Sequence, residues 1–312
     1  MDSDILVKVD ALDRFYGRRA AVRNLGFELA KGEVLGFLGP NGAGKTTTMQ
    51  MLTGNLAPSG GSIQINGVDL LERPKDAKRA IGYLPEQPPV YAELGVDEYL
   101  DYCARLNRVP RGKVRAARED AKARCGLTDV GRRLIGNLSK GYRQRVGIAQ
   151  AIIHMPPVVI LDEPTVGLDP IQIREIRALI AELREAHSVI LSSHILPEIQ
   201  AVCSRVQIIH QGRLVLSDTI AGLGDRMQSE SLIVGARNLP STDMIAAIPD
   251  VSRVESVDAH HVRVFHATEA NPAEYIAQCA VDGNWGLMEL TPERKSLEEI
   301  FVDLTRTEEG PA

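Results

Sequence analysis

Gly39-Pro40-Asn41-Gly42-Ala43-Gly44-Lys45-Thr46-Thr47 follows the apolar run Val34–Leu38 and leads into Thr46–Thr53, which Gly54 ends. The spacing is G-x-x-x-x-G-K-[ST], with every required residue present. Glycines let backbone N–H groups turn inward and approach an anion without a Cβ in the way. A helix opening at Thr46 adds partial positive charge at the same point. Strand, glycine loop and helix in this order read as a phosphate-binding loop. Lys45 is expected to reach β- and γ-phosphates, and the Thr46 hydroxyl to bind Mg²⁺.

Working outward, strand-like runs alternate with helical ones up to about residue 228. Ile5–Val9, Val34–Leu38, Ala80–Leu84, Val158–Leu161 and Val189–Ser192 are mostly continuous apolar runs, as strands buried on both faces require. This predicts an α/β fold, a mostly parallel sheet covered by helices. Val96 to Asn137 is rich in Arg, Lys and Ala and reads as a helical insert, a subdomain over about 88–140. After Gly222-Leu223-Gly224 the pattern changes. Strands over Ser231–Arg237, Val251–Ser256, His261–His266 and Trp285–Leu290 alternate with helices over Thr242–Ile248, Pro272–Val281 and Leu297–Leu304. The order β-α-β-β-α-β is that of a ferredoxin-like α+β unit, with Leu232, Val234 and Ala236 on one face. The expected domains are 1–228 and 229–305, with a polar tail over 306–312.

A second chemical signal is Val158-Val159-Ile160-Leu161-Asp162-Glu163, four apolar residues and then two carboxylates. Asp162 at the end of a buried strand can hold Mg²⁺ as a Walker-B aspartate does. Glu163, one residue on, faces differently and can polarise an attacking water.

Composition narrows the class. The chain has 312 residues, 44% hydrophobic and 25% charged, so it is neither disordered nor a disulfide scaffold. Its net charge of −5 gives no electrostatic footprint for nucleic acid. Cys103, Cys125, Cys203 and Cys279 have no metal or disulfide spacing and read as reduced thiols. The uncharged, apolar stretch Val146 to Leu161 holds Pro156-Pro157 and is too short to span a bilayer. The acidic start Met1-Asp2-Ser3-Asp4 has no signal-peptide pattern, so a soluble, cytoplasmic chain is expected. His260, His261 and His266 read as surface residues and Trp285 as core. The arginines and lysines of the insert, Arg105 to Arg118, read as a solvated helix face because Glu119 and Asp120 follow.

Five further motifs carry a family resemblance. Leu138-Ser139-Lys140-Gly141-Tyr142 resembles the signature motif, usually LSGGQ, of ATP-binding cassette (ABC) ATPases, and lies shortly before the Asp162-Glu163 strand as it does in that family. Gly167-Leu168-Asp169 looks like the D-loop, His194 like the switch histidine, and Tyr16 like the aromatic residue that stacks on adenine. Tyr83-Leu84-Pro85-Glu86-Gln87 resembles the Q-loop. The resemblance covers about residues 4–225. Pro292 to Phe301 resembles the end of ATPase subunits from drug- and polysaccharide-type exporters. Two positions depart from the signature, Lys140 for its first Gly and Tyr142 for its Gln. In the Q-loop, Glu86 stands where the Mg²⁺-contacting glutamine aligns. Either its carboxylate binds Mg²⁺, or a shift of one residue brings Gln87 in.

The resemblance implies a P-loop NTPase core of ABC type that binds MgATP. It implies Glu163 and His194 as catalytic residues. The nucleotide would be held by Tyr16, Gly39, Pro40, Asn41, Gly42, Ala43, Gly44, Lys45, Thr46 and Thr47, and across a head-to-tail dimer by Ser139, Gly141 and Asp169. The metal would be held by Thr46, Asp162 and Glu86. It implies two partners, a second ATPase subunit and a multi-span membrane permease that docks near Pro88–Leu94. The chain would then sit on the cytoplasmic face of the membrane. The expected role is to power an ABC exporter. An importer ATPase and a soluble, non-transport ABC ATPase are the alternatives.

Overall fold

The structure, a computed structural model, describes residues 4–267, 270 and 272–294. It divides into two compact units, Met1–Ile220 and Ala221–Ala312.

The first unit opens with β1 (Ile5–Tyr16) and β2 (Arg19–Ala30), an antiparallel pair turning at Gly17. Then β3 (Val34–Leu38) feeds the phosphate loop and α1 (Lys45–Leu52). β4 (Gly60–Ile65), β5 (Val68–Asp69), α2 (Pro74–Lys78) and β6 (Ile81–Leu84) follow. The insert holds α3 (Val96–Leu106) and α4 (Val114–Arg124), with short 3₁₀ turns between Arg111 and Asn137. The unit closes with α5 (Lys140–Ile152), β7 (Val158–Asp162), α6 (Pro170–Leu183), β8 (Ser188–Ser193), α7 (Leu196–Val202), β9 (Arg205–His210) and β10 (Arg213–Thr219).

Two sheets form. The larger has the order β10-β9-β3-β8-β7-β6, with only β10 antiparallel to its neighbour. All residues of β3, β7 and β8 are buried, which explains the apolar runs Val34–Leu38, Val158–Leu161 and Val189–Leu191 within them. The smaller sheet, β2-β1-β4-β5, is antiparallel. A shared core joins the two layers: Leu12, Leu25 and Leu29 pack with Phe37, Met49 and Leu52. Phe27 meets Phe37 edge to face, with ring centroids 4.9 Å apart.

Several elements differ from expectation. β1 runs on to Tyr16, and β2, β4, β9 and β10 were not anticipated. β2 is half exposed and its inward residues Val22, Leu25, Phe27 and Leu29 are broken by a register shift, so no continuous apolar run marks it. α5 starts at Lys140 because Ser139 caps it: its Oγ accepts from the Tyr142 N–H at 3.3 Å. In the insert, Arg118 is not a solvated cation. It pairs with Asp101 at 3.0 Å and with Asp97, while Lys122, 4% exposed, also holds Asp97.

The second unit contains α8 (Ile220–Met227), β11 (Gln228–Ala236), α9 (Thr242–Ala246), β12 (Val251–Ser256), β13 (His261–His266), α10 (Ala273–Asp282) and β14 (Leu287–Arg294). All of α8 after Ile220 falls in this unit. The sheet order is β12-β13-β11-β14, all antiparallel. Leu232, Val234 and Ala236 pack with Val262, Val264, Ile245, Ile276 and Trp285. Trp285 does not open the last strand. Gly286, at φ 65, turns the chain after it, and the indole is buried. The expected helix Leu297–Leu304 and the tail 306–312 lie outside the described residues.

Candidate nucleotide site

The phosphate loop leaves the C-terminal end of β3, where the parallel strands point the mouth of the site. Two glycines are required by space. A Cβ on Gly39 would collide with the Ile209 carbonyl, and Gly44, at φ 106, would put one 2.6 Å from the Ala21 carbonyl oxygen. The turn between β9 and β10 braces the loop from outside, with the Gly212 N–H donating to the Ala43 carbonyl at 2.9 Å. α1 begins at Lys45, so its free N–H groups face the loop.

Lys45 is 5% exposed. Its Nζ donates to the Gly39 carbonyl at 2.8 Å and lies 3.1 Å from Glu163 Oε1. Asp162 ends β7 and is fully buried. Its Oδ1 accepts from Ser192 Oγ at 2.6 Å and from Thr46 Oγ1 at 3.4 Å. Its Oδ2 is buried with no hydrogen-bond partner among the described residues. Burial pushes the Asp162 carboxyl above its ordinary range, and the charges of Glu163 and Glu86 add to this, against the Ser192 and Thr46 hydrogen bonds. An orphaned, buried carboxylate oxygen beside a threonine hydroxyl suits Mg²⁺. Thr46, Asp162 and Glu86 are the residues that would hold it.

Glu163 stands at φ 47, uncommon for a residue with a side chain. This turn lifts its carboxylate out of strand register, and the Ser192 hydroxyl accepts its N–H at 2.9 Å. Glu163 Oε2 meets His194 Nδ1 at 2.9 Å. His194 follows β8, the neighbour of β7 in the sheet, which is why residues so distant in sequence meet.

These groups face one cleft of about 920 Å³. Tyr16, Asn41, Gly42, Gly44, Lys45, Thr46, Thr47, Glu86, Glu163 and His194 all line it. Gly39, Pro40, Ala43 and Asp162 are not among its lining residues, and Asp162 reaches it through the Thr46 hydroxyl. Tyr16 is 48% exposed, with the Arg14 guanidinium 4.7 Å from its ring centroid. Sequence reasoning missed Arg19 and Gln211, which also line the cleft, and Ser192, which orients both acids. None of these has a local motif.

Ser139, Gly141 and Asp169 lie outside this lining and gather elsewhere on the same unit. Asp169 caps α6, its Oδ1 accepting from the N–H groups of Ile171 and Gln172 at 2.9 Å each. Gly141 packs against Gln172, and the Lys140 side chain lies over Gly167. The signature segment and the D-loop segment thus share one surface.

Comparison with known proteins agrees with this geometry. The family model described as "ABC transporter" matches residues 22–166. The chain is similar to the ABC transporter ATP-binding protein NatA of Bacillus subtilis, 38% identical over 73% of this chain and 95% of that one. It is also similar to the linearmycin resistance ATP-binding protein LnrL of the same organism, 28% identical over 96% and 98%. Among solved structures, cbiO1 from Clostridium perfringens, part of the transporter complex cbiONQ, superposes with a TM-score of 0.65 at 28% identity, over 70% of this chain and 90% of that one. Likeness of this extent, centred on the phosphate loop and the acidic strand end, shows that the chain belongs to the ATP-binding proteins of ABC transporters and is an ATPase.

Proposed function

We propose that the chain hydrolyses ATP in this cleft as half of a head-to-tail dimer and so powers an exporter through a separate membrane permease. The observation that carries the reading is the convergence of Lys45, Asp162, Glu163 and His194 on one cleft. Adenine stacks on Tyr16, and the phosphates lie on the loop N–H groups with Lys45 Nζ at the β- and γ-oxygens. Mg²⁺, when bound, neutralises charge on the β- and γ-phosphates. Glu163 takes the proton of the attacking water as its oxygen bonds to the γ-phosphorus and the bond to the β–γ bridging oxygen breaks. His194, held against Glu163, orients that carboxylate and the γ-phosphate.

The surface shared by Ser139, Gly141 and Asp169 is the part that closes over the nucleotide of the second subunit. Ser139 stands at the N-terminus of the 13-residue helix α5, whose dipole favours an anion there. Loss of the γ-phosphate removes that anion, so the dimer opens after hydrolysis. Among the described residues no helix is long and apolar enough to cross a membrane, which supports a permease on another chain. The name of LnrL, a resistance protein, supports export, and cbiO1, taken from a multi-chain transporter complex, supports the partner. The chain would then sit at the cytoplasmic face of the membrane. For the second unit, strand order β14-β11-β13-β12 supports a ferredoxin-like accessory domain.

The test is size-exclusion chromatography of Glu163→Gln with MgATP. A dimer that forms with ATP and not with ADP supports the reading, and a monomer in both overturns the dimer mechanism.

A further inference from the structure

Behind the Glu163–His194 contact lies a buried carboxyl group that belongs to none of the motifs. Glu198, in the first turn of α7, is 4% exposed. Its Oε2 accepts from Thr165 Oγ1 at 2.6 Å and from Ser193 Oγ at 2.8 Å. Ser193 Oγ in turn accepts from the Ile195 N–H at 3.0 Å. Thr165 is 6% exposed and Ser193 fully buried. Buried bonds of this kind are costly to break, because the released groups find no solvent.

The two donors sit on different turns. Thr165 lies two residues after Glu163, in the turn closed by the Val166 N–H on the Glu163 carbonyl at 3.2 Å. Ser193 and Ile195 flank His194. A single carboxylate oxygen therefore joins the turn that carries Glu163 to the turn that carries His194. Across that joint the two side chains meet at 2.9 Å. Glu163 also holds a backbone conformation, φ 47, that persists only where the surroundings over-determine it. The Ser192 hydroxyl fixes the start of that turn and Glu198, through Thr165, fixes its continuation.

We propose that Glu198 is a positioning residue of the ATPase reaction. It holds the Glu163 turn and the His194 turn at the separation at which carboxylate and imidazole meet. It acts through those two residues and contacts neither nucleotide nor water. Reacting groups displaced by a fraction of an ångström to an ångström lose much of their effect, which is why a joint behind the site bears on the rate.

The proposal rests on the roles given above to Glu163 and His194, so Glu163→Gln is assayed alongside. Steady-state ATP hydrolysis is measured for the full chain, for Glu198→Ala and for Thr165→Val, each also combined with His194→Ala. Loss of the joint is expected to lower kcat by about 10- to 100-fold in Glu198→Ala, and less in Thr165→Val, which keeps the Ser193 bond. The KM for ATP should stay within about threefold, since ground-state binding is untouched. In the His194→Ala background either substitution should lower kcat by a smaller factor than in the presence of His194, because one of the two positioned groups is gone. A merely structural role would cost the same factor in both backgrounds. Thr165→Val, the closest match in shape, decides the matter where Glu198→Ala does not fold. Full turnover in the folded variants, or equal losses with and without His194, overturns the proposal. Loss in Glu163→Gln with full turnover in Glu198→Ala and Thr165→Val overturns it alone. Full turnover in Glu163→Gln overturns the roles beneath it, and the proposal with them.

Discussion

Lys45 Nζ and Glu163 Oε1 lie 3.1 Å apart, and both side chains are buried. The cation assigned to the phosphates and the carboxylate assigned to the water therefore neutralise each other inside the cleft. Removing one leaves the other as a buried charge with less compensation, at a cost of about 3 kcal/mol. Lys45→Ala should accordingly lose both ATP binding and thermal stability. Lys45→Ala/Glu163→Gln should melt higher than Lys45→Ala. Calorimetry of the three chains checks this, and a double variant no more stable than Lys45→Ala would refute the coupling.

Glu163→Gln alone keeps the shape of the site and removes the base. Turnover should fall by about 10²–10⁴, while MgATP affinity changes little, because the phosphate loop and Lys45 stay. Rapid-quench hydrolysis and equilibrium nucleotide binding, measured on the same preparation, separate the two effects.

Glu86 lines the cleft, and its charge acts on Asp162. Replacing its carboxylate by an amide should leave ATPase activity in place and weaken apparent Mg²⁺ affinity by about tenfold. Activity titrated with Mg²⁺ at fixed ATP reads this. An unchanged midpoint in Glu86→Gln removes Glu86 from the metal site and leaves Gln87 as the candidate.

One buried and one half-buried histidine, His187 and His154, make the fold sensitive to acid. Burial lowers both His154 and His187, against hydrogen bonds to the carbonyls of Ile81 and Pro156, and the charge of His187 lowers His154 further. A histidine lowered in the fold is protonated more readily in the unfolded chain. Its contribution to stability is complete above the unfolded value and is lost as pH falls toward the folded one. Stability should thus decline below about pH 6.5, by up to about 1.4 kcal/mol per pH unit for each histidine. Urea midpoints between pH 7.5 and 5.5 measure the slope, and His187→Gln should reduce it.

The chain has a single tryptophan, Trp285, buried in the core of the second unit. Its fluorescence therefore reports the unfolding of that unit. If the unit takes no part in nucleotide chemistry, MgATP should raise the urea midpoint followed by far-ultraviolet circular dichroism and leave the Trp285 midpoint unchanged. Trp285→Ala should destabilise that unit by about 3–5 kcal/mol with basal ATPase retained. A Trp285 transition that shifts with MgATP would tie the second unit to the nucleotide site.

What could be read locally in this chain is whatever local chemistry forces. A loop that must bring N–H groups against phosphate needs glycines at set spacing, so residues 39–47 declare themselves. Strands buried on both faces are apolar wherever no buried hydrogen bond satisfies a polar group, so β3 and the runs Val158–Leu161 of β7 and Val189–Leu191 of β8 do as well. Half-exposed strands such as β2 and β10 carry only broken alternation and stayed hidden. Helix starts depend on a capping side chain, and nothing in Lys140-Gly141-Tyr142 alone says that Ser139 caps the helix there.

The tertiary structure decided what depends on strands being neighbours. β7 and β8 pair in parallel, and that pairing sets Ser192 opposite Asp162 and brings His194 to Glu163. The same pairing hides Glu198 behind both turns, where its carboxyl group carries no sequence signature at all. A hydrogen bond has a range of about 3 Å and no memory of chain order. Partners some thirty positions apart are therefore selected by sheet register, and register follows from which faces the whole chain can bury together.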